Sequence, residues 1–243
     1  MQVTGKLQFE SSEHREIYEY VERHGSVGPD DIADHVGMGR DELDGELAAL
    51  QDAGYLEERD GHLRVALDTG AEETYSTAEF EFTVRPAQED DMTGLVGTIR
   101  SVAEEQTYIE AETIAGVLDQ EGVLLRHNEL ESRVFFVACV GNEVVGWCHI
   151  GTHEIEKLNH TAELTVGVLD AYRGFGIGGR LLGRGVRWAE ENGYERLYQS
   201  LPATNQEAIR FLEANGWVTE AIRKYHYKID GEYVAEQMMA IML

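Results

Sequence analysis

Four glycines fall within seven residues, Arg173-Gly174-Phe175-Gly176-Ile177-Gly178-Gly179, between a strand-like run and a helical one. Upstream, Ala162 to Val168 reads as a strand. Downstream, Leu181, Leu182, Val186 and Ala189 recur at helical spacing over about 178–191, and Asn192-Gly193 stops the run. Glycines at such a junction let backbone N–H groups converge on an anion at the helix N-terminus, where the helix dipole adds a favourable field. The segment therefore predicts a phosphate-binding strand–loop–helix unit.

Two well-known phosphate loops do not fit. A Walker A loop needs Lys-Ser/Thr after its last glycine, and Gly179 is followed by Arg180-Leu181. A dinucleotide fingerprint is formally present as Gly174-x-Gly176-x-x-Gly179, but it should follow its strand directly and be answered by an acid ending the next strand. Here Leu169 to Tyr172 intervene, and the next strand ends in Ser200-Leu201.

The flanking chain supplies an order of elements. Phe80 to Arg85 alternates as a half-buried strand and stops at Pro86; helical stretches follow near 90–106 and 110–120. A hairpin over 134–151 turns at Gly141-Asn142, and the strand at 162–168 leads into the glycine segment and its helix. A strand at 196–200, a helix at 205–215 and strands at 218–228 and 232–242 complete the order. Hairpins mixed with βα crossovers predict an α+β fold whose sheet is partly antiparallel and partly parallel.

Within this order, Val166-Gly167-Val168-Leu169-Asp170-Ala171-Tyr172-Arg173-Gly174-Phe175-Gly176-Ile177-Gly178 resembles the acyl-CoA pyrophosphate loop of the GNAT superfamily, with its Arg/Gln-x-x-Gly-x-Gly/Ala core. Asn205-Gln206-Glu207-Ala208, the helix after it and Gly216-Trp217 are similar to the second signature of that family. The hairpin at Asp230-Gly231 and the strand with Met238-Met239-Ala240 also resemble its C-terminal end, so the likeness spans 80–243. It implies a GNAT-type mixed β-sheet flanked by helices, acetyl-CoA as co-substrate without a metal, and direct attack of a primary amine on the thioester. It further implies that the backbone of Val166, Gly167 and Val168 follows the pantetheine arm. Arg173, Gly174, Phe175, Gly176, Ile177, Gly178 and Gly179 would cradle the pyrophosphate, and Asn205 would hydrogen-bond the cofactor.

The catalytic groups are less plainly implied. Where the branch acting on protein N-termini carries a tyrosine donor, this chain has Leu212; where ribosomal-protein alanine acetyltransferases carry a glutamate base, it has Ser200. Glu163, on the strand before the loop, is the expected base, with His160 as second choice. Tyr225, with Tyr227 beside it, is the expected acid, although a thiolate of pKa near 8.5 leaves without much help. The loops 104–133 and 151–161 carry no motif that names the acceptor.

Residues 1–68 read as a separate unit. Ile17, Tyr20, Val21 and His24 form one helical stripe ending at Gly25; Pro29 opens a second helix with Ile32, Ala33 and Val36; Leu43, Leu47 and Leu50 mark a third. Two short strands turning at Asp60-Gly61 follow, and the whole resembles a winged helix-turn-helix. Residues 69–79 are acidic and without period, as in a linker, leaving 80–243 as the acyltransferase domain.

Charge bears on partners and setting. The chain holds 46 acidic against 20 basic residues, a formal net charge of −26, with only four lysines. Acid spread along the whole chain predicts a surface suited to high salt. Residues 1–79 contain 20 acidic and 6 basic side chains, and the would-be recognition helix begins Arg40-Asp41-Glu42-Leu43-Asp44-Gly45-Glu46, which would repel phosphates. That speaks against nucleic acid and leaves dimerisation to a homodimer, substrate gating or protein contact for the front unit. An alternative is a regulator whose catalytically weak acyl-CoA-binding domain controls the winged helix. No apolar run reaches the ~18–20 residues that span a bilayer, the N-terminus lacks a signal-peptide pattern, and the expected location is the cytoplasm. In the expected hairpin register Cys139 faces Val144 and Cys148 faces Phe135, about four positions apart and too far for a disulfide.

Overall fold

The computed structural model describes residues 7–106, 108–152 and 156–243. The first unit comprises α1 (Ser12–His24), α2 (Pro29–Val36), α3 (Arg40–Asp52) and the antiparallel hairpin of β1 (Leu56–Arg59) and β2 (His62–Val65). Ser11 caps α1 by accepting from the His14 N–H, and Gly25 ends it at positive φ. Ile17, Val21, Ile32, Leu43, Leu50, Leu56 and Leu63 close a core of their own. Tyr18 is fully buried in that core, and the expected Tyr20 packs half-buried against it; the Tyr18 hydroxyl donates to the His127 carbonyl at 2.7 Å. Tyr20 stacks on His35.

The second sheet is built from β3 (Glu73–Ser76), β4 (Glu81–Pro86), β5 (Arg126–His127), β6 (Ser132–Val140), β7 (Glu143–Gly151), β8 (Thr161–Val168), β9 (Arg196–Pro202), β10 (Val218–Ile229) and β11 (Glu232–Met242). Its order is β10-β11-β9-β8-β7-β6-β4-β3, with β5 beside β6. Among the described pairs only β8 and β9 run parallel, giving the mixed α+β sheet expected. The helices are α4 (Met92–Gln106), α5 (Ile109–Glu121), α6 (Ile177–Glu191) and α7 (Gln206–Ala214). Both α4 and α6 pack on β7, and β6 and β7 are buried along nearly their whole lengths, as strands covered on both faces must be.

Three features depart from the sequence reading. The segment expected as a linker contains β3, which pairs antiparallel with β4 and so extends the sheet. It is also pinned to α6: the Trp188 indole donates to the Asp68 carbonyl at 2.9 Å, and Arg184 donates to the Ala71 carbonyl at 3.0 Å and pairs with Glu73. In the β6–β7 hairpin Ala138 faces Gly146 but Cys139 faces Val144, so Val145 is an extra residue and Cys148 lies opposite Phe136 instead of Phe135. Both cysteines are free and buried.

The front unit is docked on the second through a buried carboxylate. Glu22 of α1 accepts from the His127 backbone N–H at 3.3 Å and from Asn128 Nδ2 at 2.9 Å, and pairs with Arg126 at 3.4 Å. Leu125 packs against both cores.

Candidate active site

The site begins where two strands part. β8 and β9 are paired only at Thr161–Arg196, Ala162–Leu197 and Glu163–Tyr198, although β8 continues to Val168 and β9 to Pro202. Between them opens a cavity of about 400 Å³, lined by Val166, Gly167 and Val168 on one side and by the glycine segment, Asn205 and Phe211 on the other. Gly167 makes room for the Trp147 indole, which occupies the space a side chain there would need.

The loop geometry suits an anion. Gly174 and Gly176 have φ of 81° and 84°, a region that side chains other than glycine enter at a cost of roughly 1–2 kcal/mol. A Cβ at Gly174, Gly176 or Gly179 would meet nothing within 4 Å, so the concave face of the loop is open. Gly176 is the N-cap of α6, and the first-turn N–H groups behind it have no partner within the helix. Cation is scarce there. Arg173 spends its guanidinium inside the protein, donating to the Val168 carbonyl at 3.0 Å, to Asp170 at 3.1 Å and to Glu105 of α4 at 3.0 Å. Oriented backbone N–H groups and the α6 dipole are thus what the loop offers a pyrophosphate. Together with the apolar walls from Val166, Ile177 and Leu212, this fits a CoA-type ligand. Among the described residues no group of three His, Cys, Asp or Glu side chains could hold a metal ion.

Residues 99–217 match the family model described as acetyltransferase (GNAT) family. That stretch, just under half of the chain, is similar to a GNAT acetyltransferase domain. No curated protein matches the sequence. Solved structures share the fold. A GNAT acetyltransferase from Streptococcus pneumoniae superimposes with a TM-score of 0.56 at 19% identity, covering 67% of this chain and 99% of that one. A ribosomal-protein-alanine N-acetyltransferase from Brucella melitensis gives 0.53 at 23%, over 66% and 99%. An acetyltransferase from Salmonella typhimurium, solved with acetyl-CoA, gives 0.54 at 19%, over 67% and 94%.

Within the matched stretch, ten of the expected cofactor residues line the cavity: Val166, Gly167, Val168, Arg173, Gly174, Gly176, Ile177, Gly178, Gly179 and Asn205. Phe175 instead turns its ring edge-on to Phe80 at 4.9 Å. The Asn205 side chain caps α7 by accepting from the Ala208 N–H at 3.2 Å. Leu212 is buried in the cavity wall.

The expected catalytic residues are dispersed. Glu163 sits at the base of the gap, and burial pushes its carboxyl above the ordinary carboxylate range. His160 precedes β8 at the end away from the loop, its carbonyl accepting from the Glu195 N–H at 2.9 Å. Tyr225 is 72% exposed on an irregular stretch of β10 with positive φ, its ring against Tyr233. Tyr227, two residues on, reaches inward and donates to Glu110 Oε1 at 2.8 Å.

Three site residues carried no sequence signal. Tyr108, the N-cap of α5, is buried in the cavity wall and donates to Gln199 Oε1 at 2.8 Å. Glu110 is raised by burial, against the Tyr227 bond that lowers it, and by the nearby Glu163 and Glu236 carboxylates. Burial, then the Glu110 and Glu163 charges, push the Tyr108 phenol well above its ordinary value.

Proposed function

We propose that the chain is an acetyl-CoA-dependent N-acetyltransferase acting on a primary amine. The observation that carries this reading is the glycine cradle at the start of α6, opening directly onto the gap between β8 and β9. In this reading the amides of Gly174 to Gly179 hold the pyrophosphate, Val166 to Val168 flank the pantetheine arm, and Asn205 closes the far wall. Bound acetyl-CoA supplies an activated acyl carbonyl and a thiolate leaving group. Glu163 accepts the proton that an acceptor ammonium must lose before it attacks; its raised pKa brings it nearer neutrality, where a carboxylate is a stronger base. Tyr225 stands outside this scheme, and the departing thiolate needs no donor.

Calorimetric titration with acetyl-CoA, followed by free-thiol release with a panel of amines, tests the reading. Micromolar binding and amine-dependent CoA release are expected; absence of binding would overturn it. If acetyl-CoA binds and no amine releases CoA, a regulatory role becomes the better reading. The bonds from α6 to residues 68–73 favour that second role, because the helix that begins at the cradle also holds the segment leading from the front unit.

The same reading takes 1–68 as a winged-helix unit, 69–79 as the connection and 80–243 as the acyltransferase domain. Nucleic acid is an unfavoured partner in this reading, since Arg40, at the start of α3, is paired with Asp30 and Asp44. A cytoplasmic setting at high salt accords with the −26 net charge, and no described helix is long and apolar enough to cross a membrane.

A further inference from the structure

Gln199 follows Tyr198, the last β9 residue paired with β8, and so stands where the strands separate. It is 2% exposed and lines the cavity. Its Oε1 accepts from the Tyr108 hydroxyl at 2.8 Å, the amide orientation that gives the phenol proton an acceptor among the described residues. Its Nε2 is buried and has no acceptor among the described residues. A buried amide donor left unpaired is costly, and of the seven buried side-chain N and O atoms without a partner among the described residues it alone belongs to a residue lining this cavity. This one borders a cavity shaped for a ligand.

We propose that Gln199 Nε2 donates a hydrogen bond to the thioester carbonyl oxygen of the bound acyl-CoA, and that Tyr108 is the positioning residue holding the amide in that orientation. The inference rests on the acetyltransferase reading. The chemistry at this end of the cavity calls for such a donor. As the neutral amine nitrogen bonds to the acyl carbon, the carbon–sulfur bond breaks, its electron pair leaves on sulfur, and the proton the nitrogen then sheds passes to the leaving sulfur or to water, Glu163 already holding the first. Negative charge gathers on the carbonyl oxygen on the way, in a region where Glu110 and Glu163 raise the Tyr108 phenol and would oppose it. A fixed N–H on a largely apolar wall offsets that field with no reorganisation during reaction. Tyr108 suits the holding role: its firmly bound proton keeps it a neutral donor through the working pH range.

The test compares acetyl-CoA with CoA, which lacks the carbonyl. Calorimetry on wild type, Gln199→Met and Tyr108→Phe should show acetyl-CoA affinity falling about fivefold in Gln199→Met and less in Tyr108→Phe, with CoA affinity unchanged in both. Infrared difference spectra with carbonyl-labelled acetyl-CoA should place the thioester band at lower frequency in wild type than in either variant. An unchanged acetyl-CoA to CoA affinity ratio together with an unmoved band overturns the inference while leaving the acetyltransferase reading in place. If Gln199→Met does not fold, Tyr108→Phe carries the same comparison. If neither folds, a wild-type band at the frequency of a thioester in an apolar solvent overturns the proposal, and a lower band supports it. Wild type that binds neither ligand overturns both readings.

Discussion

The Trp147 indole lies across the α-carbon of Gly167, so that β7 and β8 can stay paired there only because position 167 has no side chain. Trp147 is fully buried and cannot swing away into solvent. Gly167→Ala should therefore destabilise the fold by about 1–3 kcal/mol through overpacking, measured by chemical denaturation. It should also weaken acetyl-CoA binding, because relief by moving β8 shifts the cavity wall.

The cradle glycines make a different prediction. Gly174→Ala and Gly176→Ala place a side chain in open space but at φ above 80°. The cost, about 1–2 kcal/mol each, falls on the loop conformation and not on packing. Acetyl-CoA affinity should drop about tenfold by calorimetry while the melting temperature moves little. A melting temperature lost before affinity would show that the loop serves the fold first.

Glu163 can be probed by pH. Its folded pKa is raised by burial, so kcat/KM should climb with pH through a value above the ordinary carboxylate range. Glu163→Gln should remove that limb and lower kcat about 100-fold with acetyl-CoA affinity retained. The stability sign runs the other way. A group with a raised folded pKa stabilises the protein at acid pH, below its unfolded value, and loses that contribution as pH rises through the folded value. Glu163→Gln should accordingly raise the melting temperature more at pH 8 than at pH 4.

Glu22 tests the docking of the front unit. It is buried against Arg126, the His127 amide and Asn128, and its removal leaves the His127 N–H and the Asn128 amide without their acceptor and takes from Arg126 one of three carboxylates, Glu121 and Glu131 remaining. Glu22→Ala should cost about 3 kcal/mol and hasten proteolysis near 124–129, whereas exposed Glu129→Ala, which loses only the surface pair with Arg15, should cost under about 1 kcal/mol.

Local periodicity and the glycine loop made most strands and helices legible, since amphipathic spacing and turn residues act within a few positions. β3 escaped because Glu73-Thr74-Tyr75-Ser76 has no apolar alternation; its pairing with β4 and the Arg184 contact, 111 residues away, hold it in place. Tyr18 and Tyr20 both fit an α1 stripe, and the fully buried one, Tyr18, finds its acceptor at His127, 109 residues away. The Tyr108–Gln199 bond joins residues 91 apart and belongs to no motif. Arg173 was legible as a loop residue, but its commitment to Glu105 and Asp170 required the position of α4. A proton acceptor or an unpaired amide is defined by what surrounds it, and sequence spacing does not carry that.

The pairing of β3 with β4 has a practical consequence for dissecting the molecule. A fragment beginning at residue 80 would strip β4 of its neighbour and leave a short row of free N–H and C=O groups along Glu81–Pro86. Arg184 would lose Ala71 and Glu73 at the same stroke. Such an unguarded border invites the same strand of another copy to settle on it, so that fragment should clump. One starting near Leu67 keeps its own β3 as a selvedge and should stay dispersed.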